Sequence, residues 1–191
     1  MTQFLNSNSM YTGMLCSSTE FFVSDGSVKI IQNSKVLPFC EISSATMQIL
    51  DEAINSDLAV KLELFDMHPN SKMKRIEQFA KCRFGGLDFQ GDLKDGVLQD
   101  GEYWDCPNHG NCKSEGILCK LPSYNNQRLE KQEVKLLQFM ASNMTNDVIA
   151  DELSMPLGSF HKLKKNVYDK LGIQTKQEGT MVSFFLNLIR V

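Results

Sequence analysis

Apolar residues recur every three or four positions throughout the last third of the chain, which is the spacing of helices that pack on one core. The first of these helices is predicted at about 130–142 and the third at about 157–170. Thr145 is placed to cap the second helix, and Thr175 and Glu178 have the spacing of a capping box for the fourth. The residues of the predicted apolar faces are, helix by helix, Val134, Leu137 and Met140; Val148, Ile149 and Leu153; Phe160, Leu163, Val167 and Leu171; and Met181, Phe184, Phe185 and Leu188.

The pattern is more mixed before residue 129. Two short apolar runs flank Asp25-Gly26, a dipeptide typical of hairpin turns, so two strands are predicted there. The Ser43-Ser44 and Asn70-Ser71 pairs are placed to cap two helices, whereas residues 59–65 fit either a strand or a helix. The whole chain is therefore predicted to be α+β and mostly α, with a small mixed module before a tetrahelical domain.

Changes in composition suggest where the domains lie. Residues 1–20 are rich in Ser, Thr and Asn, and we expect them to form a flexible N-terminus. Residues 21–121 are predicted to form the mixed α/β module. A linker is expected at 122–128, and the helical domain occupies 129–191.

Charge and hydropathy limit the classes of function. A net charge of −3 for the whole chain argues against nucleic-acid binding, but residues 129–191 carry a net charge of +1. No apolar run reaches the length of about 18 residues that a membrane-spanning helix needs. The first residues also lack the basic and apolar parts of a signal peptide. We therefore expect a cytoplasmic protein whose cysteines stay reduced.

Cysteines cluster in the mixed module. Cys106, Cys112 and Cys119 fall within 14 residues, and 23 residues separate Cys82 from the first of them. These four are the predicted ligands of a tetrahedral Zn²⁺ site, with His109 as an alternative ligand. Four cysteines also hold iron–sulfur clusters, so that cofactor is the competing interpretation. The third interpretation is that the cysteines are reduced and bind no metal.

One continuous pattern runs from Leu129 to Ile173 and continues weakly to about Ser183. It consists of Leu129, Glu133, Leu137, Ala141, Asn146, Ile149-Ala150, Leu153, Ser159-Phe160, Asn166 and Lys170-Leu171-Gly172-Ile173. This pattern resembles the tetrahelical DNA-binding domain of LuxR/GerE-type regulators. The chain departs from the family at Glu130, Asn143, Pro156 and Gly158.

The resemblance implies that the helix at about 157–170 is a recognition helix in the major groove of double-stranded DNA. By the same resemblance His161, Lys162 and Lys165 are the base-reading positions. The better candidates for phosphate contacts are Ser159, Lys164, Asn166 and Lys170. Phosphate contacts position a helix on DNA without reading its sequence. The family also implies a homodimer through the last helix, and packing of that helix on the N-terminal module is the alternative.

The sequence holds no pattern typical of an enzyme. There are three histidines, and no phosphate-binding loop, nucleophile elbow or metalloprotease histidine pair is present. We therefore predict a transcriptional regulator that binds DNA and is not an enzyme. The alternative is a metal-stapled protein-interaction module, or a subunit of a complex, without sequence-specific DNA binding.

Overall fold

The computed structural model of the 191-residue chain describes residues 18–88, 90–104 and 106–189. The chain divides after Lys120 into two compact units. Within the described ranges there are seven α-helices and three small antiparallel sheets, which confirms the predicted α+β, mostly α class. None of the described helices combines the length and the apolar character that crossing a membrane requires.

The first unit combines a three-stranded sheet with three helices. Its elements in chain order are β1 (Glu20–Ser24), β2 (Ser27–Gln32), β3 (Lys35–Pro38), a 3₁₀ turn (Phe39–Glu41), α1 (Ser44–Ser56), α2 (Leu58–Met67), α3 (Lys72–Arg83), β4 (Leu93–Lys94) and β5 (Val97–Leu98). The core contains residues from the sheet, from all three helices and from the cysteine-rich segment, among them Phe21, Leu50, Leu64, Ile76, Phe84 and Leu118.

Tight turns connect the strands of the first unit. The predicted hairpin forms around Asp25-Gly26, where φ is 54° and 77°. A second hairpin, between β2 and β3, turns at Asn33-Ser34 with φ of 50° and 64°. Both turns have the positive φ angles of a type I′ turn, whose twist matches that of the paired strands. The second hairpin was not predicted from the sequence because serine is an uncommon residue in such a turn.

Polar side chains start the three helices of the first unit. Ser43 accepts a hydrogen bond from the backbone of α1, and Ser71 does so for α3, as predicted. The ambiguous residues 59–65 belong to α2, because the side chain of Asp57 accepts hydrogen bonds from two N–H groups of its first turn. A capped first turn and a buried Leu64 decide in favour of a helix over a strand there.

The segment after α3 runs along the free edge of β1. Thr19 and Leu93 exchange two backbone hydrogen bonds of 2.9 and 3.1 Å, and Val23 N donates to Gly85 O at 3.0 Å. Glu20, which was predicted to fall in the flexible N-terminus, is fully buried in β1. Glu20 therefore belongs to the folded first unit and not to a flexible segment. Cys16 lies outside the described residues.

The second unit contains a hairpin and four helices. Its elements are β6 (Ser123–Tyr124), β7 (Gln127–Arg128), α4 (Lys131–Met140), α5 (Asn146–Glu152), α6 (Leu157–Leu171) and α7 (Lys176–Phe185). The hairpin occupies the predicted linker and turns at Asn125-Asn126, with φ of 49° and 62°. The predicted capping box of α7 is confirmed, since Thr175 and Glu178 bond to each other's backbone N–H groups. The Glu178 carboxylate accepts hydrogen bonds from Gln174 N, from Thr175 N and from the Thr175 hydroxyl, and these bonds hold its pKa below its usual value.

A short turn joins α5 to α6. Ser154 has a left-handed conformation, with φ of 53°. Its N–H donates to Asp151 O at 2.8 Å and Met155 N donates to Ala150 O at 3.0 Å, which is the Schellman arrangement that ends many helices. Pro156 then precedes α6, and no side chain caps that helix. The two helices are thus close in sequence and separately terminated, as in a helix-turn-helix.

Three residues of the predicted apolar faces in the second unit are exposed. Val148 is 44% exposed, Met181 is 51% exposed and Phe184 is 36% exposed. On α7 the inward positions are Gly179, Val182 and Ser183, and the Ser183 hydroxyl donates to a carbonyl of α4 at 3.0 Å. Small residues let α7 approach α4 closely, since a Cβ on Gly179 would lie 2.8 Å from a methionine methyl of α4. Tertiary packing therefore rotates α7 away from the face that its large apolar residues favour.

Candidate nucleic-acid interface and metal centres

Helix α6 has a buried apolar side and an exposed polar side. Phe160, Val167 and Leu171 are buried against the other helices of the second unit. The predicted base-reading residues are all exposed, and so are two of the predicted phosphate contacts; these five are His161, Lys162, Lys165, Ser159 and Asn166. The helix carries four lysines and one aspartate. Its outer side is therefore a polar, basic surface on a rigid element.

The other two predicted phosphate contacts hold α6 in place. Lys170 Nζ lies 2.6 Å from Glu133 Oε2 of α4, and both side chains are mostly buried. The same oxygen accepts a hydrogen bond from Glu130 N at 2.7 Å. Lys164 Nζ lies 3.3 Å from Asn146 Oδ1 of α5 and 5.4 Å from the ring centre of Tyr168. The buried Lys170–Glu133 ion pair thus ties α6 to α4, whereas the longer Lys164–Asn146 contact between α6 and α5 is exposed.

Acidic residues restrict where phosphate could approach the second unit. Asp147, Asp151 and Glu152 are exposed on α5, and Asp169 is exposed near the end of α6. These carboxylates repel a phosphate backbone. The attractive surface is accordingly limited to the first two thirds of α6.

The structure brings the four predicted metal-binding cysteines into one region of the first unit. Cys82 lies in the last turn of α3, and the other three lie in the turns that follow residue 105. Burial raises the pKa of Cys82 to about 11, and the charges of Cys119, Cys106 and Cys112 act in the same direction. A hydrogen bond from Gln78 Nε2 to Cys82 Sγ, 3.1 Å long, opposes this effect. The other three cysteines are therefore near Cys82, although no three of the described thiols come as close together as the ligands of one ion.

Hydrogen bonds attach the cysteine-rich segment to α3. Arg83 is only 6% exposed, and its Nε donates to Leu118 O at 2.8 Å and its terminal nitrogen to Ile117 O at 3.3 Å. Gly101 packs directly on this arginine, since a Cβ there would lie 2.0 Å from the arginine side chain. His109, the alternative ligand, stacks on Tyr103 with ring centres 4.9 Å apart.

A second group of metal-binding side chains is more compact than the thiols. Carboxylate oxygens of Glu20, Asp88 and Glu102 all lie within 4.8 Å of one another, a closeness that no three of the described thiols reach. Asp92 lies beside this group and is 3% exposed. We call these four residues the acidic cluster.

Burial is the main influence on the acidic cluster. It raises the pKa of Glu20 to about 9 and that of Glu102 to about 10, and the negative charge of Asp88 adds to both effects. The pKa of Asp92 is also raised, first by burial and then by the charges of Glu20 and Glu102. Lys94 is close enough to lower the pKa values of Glu20 and Asp88.

The acidic cluster has no recognisable pattern in the sequence. Its members come from β1 and from two parts of a Gly- and Asp-rich stretch that lacks helical or strand periodicity. One signal was available in the position of Glu20. This charged residue directly precedes Phe21-Phe22-Val23, the apolar run of a predicted strand. A charged residue at an inward position of a strand is uncommon unless it has a partner.

Comparisons of the chain with protein-family models, with curated proteins and with solved structures find no match. The resemblance to LuxR/GerE-type domains therefore depends on the residues of the second unit alone. Function has to be argued from the arrangement of the side chains.

Proposed function

We propose that the chain is a DNA-binding transcriptional regulator that inserts α6 into the major groove. The observation that carries this proposal is the two-sided character of α6, with Phe160 and Val167 buried and His161, Lys162 and Lys165 exposed. An α-helix fits the major groove of B-DNA, where lysine can donate hydrogen bonds to guanine. The Schellman turn at Ser154 supports the proposal because it leaves α6 free to project its first turns outward.

The contacts of α6 divide the predicted residues into two roles. We assign base reading to His161, Lys162 and Lys165, and phosphate contacts to Ser159 and Asn166. Lys164 and Lys170, although also predicted to contact phosphate, already have partners on α5 and α4. Their principal role in the proposal is to hold α6 at a fixed angle, which base recognition requires.

We further propose that the last helix supplies a dimer contact. Phe184 is 36% exposed and Met181 is 51% exposed on the outer side of α7. Exposed apolar residues that adjoin on one helix face are typical of an interface. A dimer would place two copies of α6 on successive major grooves, which explains how a short recognition helix could select a long site.

In the first unit we propose that Cys82, Cys106, Cys112 and Cys119 bind Zn²⁺. The donor set fits this ion, since four thiolates form a common structural zinc site. In the structure the thiols are spread more widely than the ligands of one ion, so zinc binding would draw the turns of residues 106–119 together. Bound zinc would neutralise the repulsion among the thiolates and staple a segment without regular secondary structure.

DNA binding is tested by replacing the two exposed lysines of the recognition surface. We expect Lys162→Ala with Lys165→Ala to weaken binding about 100-fold, since each base contact contributes roughly 1–3 kcal/mol. The probe is a duplex selected by the full-length protein from a random-sequence library. Affinity is measured by fluorescence anisotropy at several salt concentrations, because the salt dependence reports the phosphates that are neutralised.

The matched control removes two exposed lysines of the first unit, Lys35→Ala with Lys74→Ala. It changes the net charge equally, and we expect less than about threefold weaker binding because long-range charge alone has a small effect. Selection that enriches no sequence, or equal affinity of both double variants, contradicts the proposal. A protein partner that binds the unchanged protein but not the Lys162 and Lys165 double variant would instead favour the protein-interaction module.

Metal content is a separate prediction for the first unit. Protein purified without metal-chelating resin is expected to contain about one zinc ion per chain, as a four-thiolate site holds. Cys82→Ser should lower this content several-fold, whereas Cys40→Ser, at an exposed cysteine outside the set, should leave it unchanged. Mass spectrometry of the metal measures both. Iron with sulfide would support the iron–sulfur interpretation, and protein free of metal would contradict both cofactors.

A further inference from the structure

Three segments of the first unit converge on the acidic cluster. Glu20 lies at the start of β1, Asp88 in the loop that follows α3, and Glu102 in the segment after β5. Backbone hydrogen bonds fix all three, with Asp88 N donating to Glu20 Oε1 at 3.0 Å and Glu102 N donating to Arg83 O at 3.0 Å. The carboxylates are therefore positioned by the fold and not by flexible side chains meeting at a surface.

An unpartnered oxygen points to a missing ligand at the acidic cluster. Glu20 is 0% exposed, and its Oε2 is buried without a hydrogen-bond partner. Burying a carboxylate oxygen without a partner is unfavourable, because the atom loses its contacts with water and gains nothing in return. The neighbouring Asp92, whose Oδ2 accepts a hydrogen bond from Phe21 N at 2.7 Å, forms no hydrogen bond with this oxygen.

We propose that Glu20, Asp88 and Glu102 bind a calcium ion. The site is separate from the proposed zinc site and independent of DNA binding by α6. Its three oxygens lie within 4.8 Å of one another, which is twice a typical Ca²⁺–oxygen distance of about 2.4 Å. The centre of three such oxygens is at most about 2.8 Å from each, so a small movement of the side chains brings an ion there within coordinating distance of all three. A carboxylate can bind Ca²⁺ through both oxygens, so the ion would also give Glu20 Oε2 a partner.

The donor atoms and their burial favour calcium over the common alternatives. Carboxylate oxygens are hard ligands, which Ca²⁺ and Mg²⁺ prefer and which zinc accepts less readily than thiolate or imidazole. Mg²⁺ usually keeps several waters, whereas Glu20 and Asp92 are almost completely buried. Ca²⁺ exchanges water for protein oxygens more readily and tolerates irregular geometry. Asp92 adds negative charge beside the site, and Lys94 offsets part of it.

Calcium titration of the full-length protein in calcium-free buffer tests the proposal, with MgCl₂ titrated in parallel. The sole tryptophan, Trp104, is buried two residues after Glu102, so its fluorescence reports on this unit. We expect CaCl₂ to release heat and to raise the thermal midpoint of the Trp104 signal by about 4–8 °C, because the ion binds the folded state alone. MgCl₂ should have a much smaller effect.

Variants distinguish the site from other effects of calcium. Glu102→Gln keeps the shape of the side chain but removes its charge, and we expect its calcium affinity to fall at least about tenfold. Asp88→Asn tests the same prediction if Glu102→Gln folds poorly. Glu41→Gln removes an exposed carboxylate elsewhere and should respond like the unchanged protein. Absence of any calcium effect, an equal or larger effect of magnesium, or an unchanged response in both site variants would overturn the proposal.

Discussion

Replacing Arg83 with methionine is expected to lower the free energy of unfolding of the first unit by about 3 kcal/mol, since one buried and one partly buried carbonyl group each lose a charged donor. These groups are Leu118 O and Ile117 O, and the guanidinium also lies 5.2 Å from the ring centre of Phe79. Methionine fills most of the volume of the arginine stem, so the loss is mainly that of the hydrogen bonds. Chemical denaturation followed by Trp104 fluorescence measures it.

Arg75 offers a matched control on the same helix. Its Nη1 also donates to two backbone carbonyls, His68 O at 2.8 Å and Pro69 O at 3.1 Å, and its guanidinium lies over Phe65 at 3.9 Å. These groups are more exposed, so water can replace the lost donor. Arg75→Met should therefore cost about 1 kcal/mol or less. If Arg83→Met and Arg75→Met lower the free energy of unfolding equally, the burial of Arg83 does not determine its contribution to stability.

The free energy of unfolding of the calcium-free protein is expected to fall as the pH rises from about 5 to about 8, by roughly 4 kcal/mol if one extra proton is bound in the folded state. The reason is the raised pKa of Glu20, about 9 in the fold against 4.5 as its ordinary value. Between these two values the folded state binds more protons than the unfolded state. This contribution is thus fully present below 4.5 and is lost as the pH rises towards 9.

The groups that face Glu20 determine how steep this dependence is. Asp88, Asp92 and Glu102 oppose its ionisation, whereas Lys94 favours it. Glu102→Gln should flatten the profile and make the calcium-free protein more stable near neutral pH. Burial raises the pKa of Glu102 to about 10, so the folded state of the unchanged protein has to take up a proton there, and glutamine does not. Urea denaturation at several pH values, again followed by Trp104 fluorescence, measures both proteins. A stability that rises from pH 5 to 8 in calcium-free buffer would contradict the prediction.

Local signals predicted most of the helices correctly. Ser43, Ser71, Thr175 and Glu178 begin their helices as expected, because capping depends on side chains within three residues of the first turn. The hairpin at Asp25-Gly26 was likewise evident, since glycine adopts positive φ at little cost. Asn33-Ser34 and Asn125-Asn126 form equivalent turns with weaker signals, and strand pairing rather than residue preference establishes them.

The two candidate metal centres differ in how far sequence could reveal them. Cysteine spacing indicated Cys106, Cys112 and Cys119 because those residues are neighbours in the chain. The acidic cluster has no such spacing, since Glu20 and Asp88 are separated by most of the first unit. They come together because Thr19 and Leu93 pair across the edge of β1. Only this long-range pairing makes an inward glutamate and a loop aspartate into neighbours.

By itself the sequence determined the α+β class, the helical second unit, and the polar and apolar sides of α6. These properties follow from periodicity and capping, which act over a few residues. The tertiary structure decided which lysines of α6 are exposed and which are paired, that Gly179 and Ser183 face α4, and that Glu20 is buried among other carboxylates. Such properties depend on residues far apart in the chain, and a buried charge or a close helix contact becomes visible only when those residues are placed together.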